Sequence, residues 1–354
     1  MRDVLEEWKP VVDGTIEDVF PRDVSREHLE SYFGEARYGY DVESIQASIV
    51  DPVWDLLDRG GKRWRPVIFL LFVDAFGEDP EEYLPYATIP ELIHNGTIIV
   101  DDIEDGAEMR RGEPALHHIY GVDVALNAGN ALYFVPLKIL SKDPVGIDDE
   151  DRLRAYDMLM HEMNRTHLGQ GVDIDWHNDP GRSVAEVEYL EMCACKTGCL
   201  ARLAAQLAAI VTGQSRETQQ RVADYAELMS LAFQINDDIL DVEHSLDRAG
   251  DFGKAFGNDV REGKTTLLVI HAVENSSGED AEKLLDILAA DENTDEEISE
   301  AIRIIDESGA IEQARERAFD LAEEARQSLE GLDLDPEPRE RLEAFARFVV
   351  EREV

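Results

Sequence analysis

The chain has 354 residues, with 78 Asp and Glu against 34 Lys and Arg, giving a formal net charge of −44. A surface that acidic repels nucleic acid and anionic membranes, which are bound through basic groups. Disorder is excluded as well, because 44% of the residues are hydrophobic, an ordinary share for a folded chain. In chain order, residues 1–42 read as an N-terminal helical elaboration, and its charged opening MRDVLEEWKP lacks the apolar core of a signal peptide. The longest apolar run, Val67 to Val73, is far short of the roughly 20 residues of a membrane helix. Apolar residues recur at three- and four-residue spacings over 84–103, 121–141, 150–170, 184–211, 215–243 and 309–331, which predicts helices. The stretch LARLAAQLAAIV at 200–211 is apolar around most of its circumference and belongs at the centre of a bundle.

Breakers separate these segments at Gly60-Gly61, 111–114, 141–146, 177–181 and 331–338. Residues 274–297, acidic with Ser, Gly and Asn near their edges, read as a solvated excursion. Period-two strands, internal repeats and long linkers are all missing. The expectation is therefore an all-α protein, one large helical bundle over residues 43–354. Cys193, Cys195 and Cys199 sit too close together for a disulfide framework and are read as small core residues in a reducing cytoplasm. Only eight of the 34 basic residues are Lys. A folded, acidic, lysine-poor chain resembles cytosolic proteins that work in molar salt, where charges are screened within about 3 Å.

That acidity makes carboxylate motifs cheap. With 78 acids in 354 residues, roughly four matches to a D-D-x-x-D pattern arise by chance, and a solvated face is the default reading. Two matches stand in a different context. Asp101, Asp102 and Asp105 end the apolar segment IPELIHNGTIIV, and Asp237, Asp238 and Asp241 follow MSLAFQI. The i, i+4 spacing puts Asp101 with Asp105, and Asp237 with Asp241, on one helix face. Two carboxylates cannot complete the octahedral shell of Mg²⁺, but with waters and substrate phosphates they can. Two such pairs facing across a bundle would cage a metal-bridged diphosphate.

The retained basic residues strengthen this reading. Residues 59–65 (RGGKRWR) hold four basic residues, Arg110 and Arg111 follow the first acidic motif, and Lys62, Lys196, Lys254 and Lys264 sit beside Gly or Thr. Lysines kept by a chain that has largely discarded them are candidates for gripping anions. Glu91 and His94 form an E-x-x-H, but a di-iron bundle needs a second copy and further glutamates.

The segments GGKRWRP (60–66), DDIEDGAEMRRG (101–112), GQGVDID (169–175), KTG (196–198), FQINDDILD (233–241) and GKAFGNDVREGKTTL (253–267) together resemble the trans-isoprenyl diphosphate (polyprenyl) synthases, of haloarchaeal type. The resemblance implies an isoprenoid-synthase bundle with a central active-site cavity, usually a homodimer. It further implies Mg²⁺-dependent head-to-tail condensation of isopentenyl diphosphate with an allylic diphosphate. Asp101, Asp105, Asp237 and Asp241 would hold Mg²⁺. Arg110, Lys196, Lys254 and Lys264 would grip the allylic diphosphate; Lys62, Arg65, His94 and Arg111 would bind isopentenyl diphosphate. Thr197 and Gln234 would steady the cation. In this family, bulky residues four and five positions before the first motif stop elongation. Here Thr97 and Gly96 are small, so a geranylgeranyl (C20) product is expected, with Tyr133 and Phe134 as a deeper floor or as core packing. A C25 or longer product is the alternative, and a non-elongating isoprenoid synthase a weaker one. Cyclases and head-to-head synthases do not need the GGKRWRP and Arg110-Arg111 set; a catalytically silent subunit would have lost motif aspartates, and here both motifs are intact.

Overall fold

The computed structural model describes residues 1–179, 182–247, 257–290 and 292–351. These form helices joined by short turns, with one two-stranded antiparallel ribbon pairing Met109–Arg110 with Glu113–Pro114. The principal helices are α1 (Arg2–Val19), α2 (Arg26–Phe33), α3 (Asp51–Asp58), α4 (Trp64–Ala75), α5 (Leu84–Glu104), α6 (Val122–Phe134), α7 (Asp149–His177), α8 (Glu186–Cys193), α9 (Cys199–Val211), α10 (Arg216–Asp247), α11 (Leu267–Asn275), α12 (Gly278–Leu288), α13 (Asp295–Glu307), α14 (Ala310–Ser328) and α15 (Pro336–Glu351). All six periodic segments in the sequence are helical. The chain divides into two compact units, one of residues 1–159, 203–219 and 333–339, the other of 160–202, 220–332 and 340–354.

In the first unit the apolar run of α4 is buried on every side, with Val67, Ile68, Phe69, Phe72 and Val73 fully enclosed. A helix apolar all round can only be a core helix. Against it lies α5, whose opposite flank meets α6 at two glycines. A Cβ on Gly96 would stand 2.9 Å from the Gly129 carbonyl oxygen, and one on Gly129 would stand 3.2 Å from the Gly96 carbonyl. The two backbones touch. Gly96 is therefore filled space, not an opening through which a growing chain passes, and the expectation placed on it is corrected here. Tyr133 packs at the same crossing and is buried, whereas Phe134 is 63% exposed and faces outward.

In the second unit α13 buries Ile298, Ile302 and Ile305, and α14 buries a run of alanines that lets neighbouring helices close in. Residues 274–297 differ from the expected excursion. Ser277 caps α12, whose Leu284, Ile287 and Leu288 are buried, and Thr294 opens α13 in a capping box with Glu297. The acids there occupy the solvent face of an amphipathic helix, so composition alone hid its apolar stripe. Among the described residues one stretch, Glu186–Val211, is long and apolar enough to cross a membrane, but 83% of its most apolar window is buried inside the protein, as in a core helix.

The Gly96–Gly129 contact gives a direct prediction. Gly96→Ala should lower stability by about 1–3 kcal/mol through overpacking, measured as a shift in the denaturant midpoint; an unchanged midpoint contradicts the packing described.

Candidate active site

In the first unit the end of α5 sorts its aspartates by direction. Asp101 is half-buried, Asp105 is exposed at the helix end, and Asp102 is 2% exposed. Asp102 sits about 100° around the helix from Asp101, so it points inward while the i, i+4 pair shares the outer face. Its Oδ1 accepts hydrogen bonds from Arg110 Nε (2.7 Å) and Nη2. Burial raises the Asp102 carboxyl above the usual range, and the Arg110 hydrogen bond opposes that shift. Arg110 Nη2 also lies 3.9 Å from Asp101 Oδ2. Arg110 is thus pinned at the motif by a residue the sequence reading gave no role.

The ribbon carries Arg110 and, in its turn, Arg111, whose φ is 54°. Arg111 Nη1 donates to the carbonyls of Leu56 (3.2 Å) and Gly60. Arg59 fastens the other side, donating to Asp55 (2.8 Å) and to the carbonyls of Pro114 (2.8 Å) and Arg110 (3.2 Å). Beyond the glycines, Lys62 is exposed and Arg65 is buried, its guanidinium 4.2 Å over the Trp64 ring. The His94 Nδ1 is buried without a hydrogen-bond partner. Burial, then the charges of Arg65, Arg111, Arg110 and Arg63, push the imidazole well below its usual range. Burial and the charges of four arginines thus all disfavour the protonated ring. That concentration of positive charge inside so acidic a chain suits an anion.

In the second unit a single π-helical turn, Ala194–Gly198, interrupts the run from α8 to α9 and carries Lys196 and Thr197. Lys196 Nζ donates to Asp173 Oδ2 at 2.6 Å. Gly169, one turn before Asp173 on α7, makes this possible: a Cβ there would fall on the backbone of Cys195 and Lys196. The GQGVDID segment thus supplies a backbone seat for the π turn and a carboxylate for its lysine. Asp173 was not picked out from sequence; its spacing of four from Gly169 was the available signal.

On α10 the second aspartate is again the inward one. Asp237 and Asp241 are half-buried; Asp238 is 6% exposed and accepts from the Tyr189 hydroxyl (3.0 Å) and Gln234 Nε2 (2.9 Å). Burial, then the charge of Asp259, pushes the Asp238 carboxyl up to about 7. The same two causes push Asp241 up to about 6. The Asp259 backbone N–H approaches Asp241 Oδ2 at 3.5 Å, and Lys264 Nζ reaches Asp259 Oδ1 at 3.4 Å and Glu262 Oε2 at 2.5 Å. Gln234, expected beside a cation, has its amide group on Asp238. Lys254 lies outside the described residues.

Among the described residues no three carboxylate, imidazole or thiolate groups converge on a ready-made metal cage. Each aspartate pair instead offers hard oxygens on one helix face, fitting a partial shell for a divalent ion that keeps waters and takes substrate oxygens. The three cysteines are buried as thiols with no disulfide, and the Cys199 sulfur lies 2.8 Å from Thr166 Oγ1.

The polyprenyl synthetase family profile matches residues 46–305. The chain is 36% identical over 297 residues to a geranylgeranyl pyrophosphate synthase from Geoglobus acetivorans, covering 84% of this chain and 88% of that one. It is 34% identical over 313 residues to a geranylfarnesyl diphosphate synthase from Natronomonas pharaonis, with the same coverage, 84% and 88%. The crystal structure of a geranylgeranyl pyrophosphate synthetase from Pyrococcus horikoshii superposes with a TM-score of 0.83 at 29% identity, over 99% of this chain and 98% of that one. The architecture is the all-α isoprenoid synthase fold.

The Gly169 seat is testable without substrate. Gly169→Ala should cost more than about 3 kcal/mol, because backbone cannot yield as a side chain can. Far-UV circular dichroism during denaturation reads this out; a midpoint near the parent's contradicts it.

Proposed function

The chain belongs to the polyprenyl synthetase family and is a polyprenyl diphosphate synthase, and we propose that it condenses isopentenyl diphosphate head to tail with allylic diphosphates to give geranylgeranyl diphosphate. The observation that carries the site assignment is the shared sorting of the two acidic motifs, each with one buried aspartate, Asp102 or Asp238, and a less buried i, i+4 pair beside it. Asp101, Asp105, Asp237 and Asp241 would hold Mg²⁺, which when bound neutralises negative charge developing on the departing pyrophosphate. Arg110, Lys196 and Lys264, with Lys254, grip the allylic diphosphate. The acidic neighbours of Arg110, Lys196 and Lys264 hold those three side chains in place before substrate arrives, so little conformational entropy is lost on binding.

Lys62, Arg65, His94 and Arg111 receive isopentenyl diphosphate. The His94 ring contributes a hydrogen bond. Thr197 and Gln234 present oxygen dipoles to the allylic cation, and the departing pyrophosphate takes the proton lost on C–C bond formation. The reading places residues 43–354 as the synthase domain with residues 1–42 as an elaboration; the family match from residue 46 is in keeping with this. Val122, Leu126 and Phe134, 53%, 38% and 63% exposed, line the outer face of α6 and support a homodimer. The acid excess supports work in a salt-rich cytoplasm.

A C25 product is the second reading, favoured by the geranylfarnesyl diphosphate synthase among the similar chains. Because Gly96 is closed by α6, the position that tests product length is Thr97, half-buried on α5 with its hydroxyl on the His94 carbonyl at 2.8 Å. Purified protein with Mg²⁺, isopentenyl diphosphate and each allylic primer in molar KCl should release pyrophosphate and yield C20 product. Thr97→Phe should shorten that product by at least one isoprene unit. No turnover with any primer overturns the activity, and an unchanged product places the floor elsewhere.

A further inference from the structure

Four basic residues in the segment 59–65 invite one explanation, but the structure divides them. Arg63 is 3% exposed, and its guanidinium is consumed by the protein. Nε donates to Asp13 Oδ1 at 2.7 Å, Nη1 to Glu91 Oε1 at 2.9 Å and to the Gly60 carbonyl at 3.3 Å, and Nη2 to the Leu57 carbonyl at 3.0 Å. Glu91 is itself buried and also accepts from Asn95 Nδ2 at 3.1 Å. Four of its five N–H donors are used within the protein, and the group is enclosed, so Arg63 is not placed to grip a diphosphate.

The backbone it serves is unusual. Gly60, Gly61 and Arg63 have φ of 92°, 139° and 51°. Glycine adopts such angles freely, but arginine in the left-handed region costs about 1 kcal/mol and persists only where its surroundings over-determine it. Here they do. Arg63 binds the Gly60 carbonyl from within the loop while Asp13 reaches it from α1 and Glu91 from α5. Lys62 immediately precedes Arg63 and Arg65 follows it after Trp64, so the backbone angle at Arg63 sets how the two side chains are placed relative to each other.

We propose that Asp13 and Glu91 clamp Arg63 as a strut, which makes α1 a positioning element for the Lys62 and Arg65 groups that receive isopentenyl diphosphate. The proposal rests on the reading of that loop as the isopentenyl diphosphate site. Glu91 is deeply buried and its replacement risks the fold, whereas the Asp13 side chain is 38% exposed and can be changed gently. Loss of a charged hydrogen bond to a buried guanidinium corresponds to about a tenfold change when it is expressed in binding.

The test compares Asp13→Asn, Asp13→Glu and Lys62→Ala in the full-length enzyme, measuring KM for isopentenyl diphosphate and for the allylic diphosphate separately, with thermal midpoints alongside. Asp13→Asn should raise KM for isopentenyl diphosphate about tenfold while leaving the allylic KM within about twofold, and Asp13→Glu should restore most of the loss. Equal changes in both KM values, or none, together with a Lys62→Ala effect confined to isopentenyl diphosphate, overturn the strut and leave the loop's assignment standing. If Lys62→Ala does not move KM for isopentenyl diphosphate, the assignment falls and the proposal falls with it.

Discussion

The inward aspartate of each acidic motif is the constraint on which the site depends. Asp102 and Asp238 are buried carboxyls one residue away from outward carboxylates, and each is satisfied by protein donors: Arg110 for the first, Tyr189 and Gln234 for the second. Burying a carboxylate without such partners costs several kcal/mol. With them, each helix is locked in rotation there, and the i, i+4 partners are held on the adjoining, less buried face. Each motif thus combines a rotational lock with an i, i+4 aspartate pair, and the first orients the second.

The same logic runs through the cations. Lys196 rests on Asp173, Lys264 on Asp259 and Glu262, and Arg110 on Asp102. In a chain with so large an acid excess, positive groups find carboxylates readily, and the acids that matter are those that aim a cation. Glycine has the complementary task. At Gly96 and Gly129 it lets α5 and α6 meet backbone to backbone, and at Gly169 it seats the π turn that carries Lys196.

Much of this was legible in the sequence. The 3.6-residue periodicity of α5, α7, α10 and α14 placed the helices, and the motifs marked both i, i+4 aspartate pairs. What was not legible depends on tertiary partners. The inward direction of Asp102 and Asp238 follows from helix geometry, but which donors meet them does not. Arg63 looked like one more basic group in a basic segment; only the approach of Asp13 and Glu91 from distant helices shows it to be internal. Smallness at Gly96 cannot by itself distinguish a cavity from a close contact, and only the approach of Gly129 shows it to be a contact. The helix at 278–288 was hidden by acids on its exposed face, which lowered mean hydropathy while leaving three apolar positions at core spacing.

The division of labour within each motif is tested most directly by calorimetric titration of Mg²⁺ with inorganic pyrophosphate into the Asp→Asn variants at positions 101, 102, 237 and 238. The account predicts that Asp101→Asn and Asp237→Asn lose metal-dependent pyrophosphate binding with little change in thermal midpoint. Asp102→Asn and Asp238→Asn should retain metal binding and lose stability instead. Equal loss of metal binding in all four variants would contradict it.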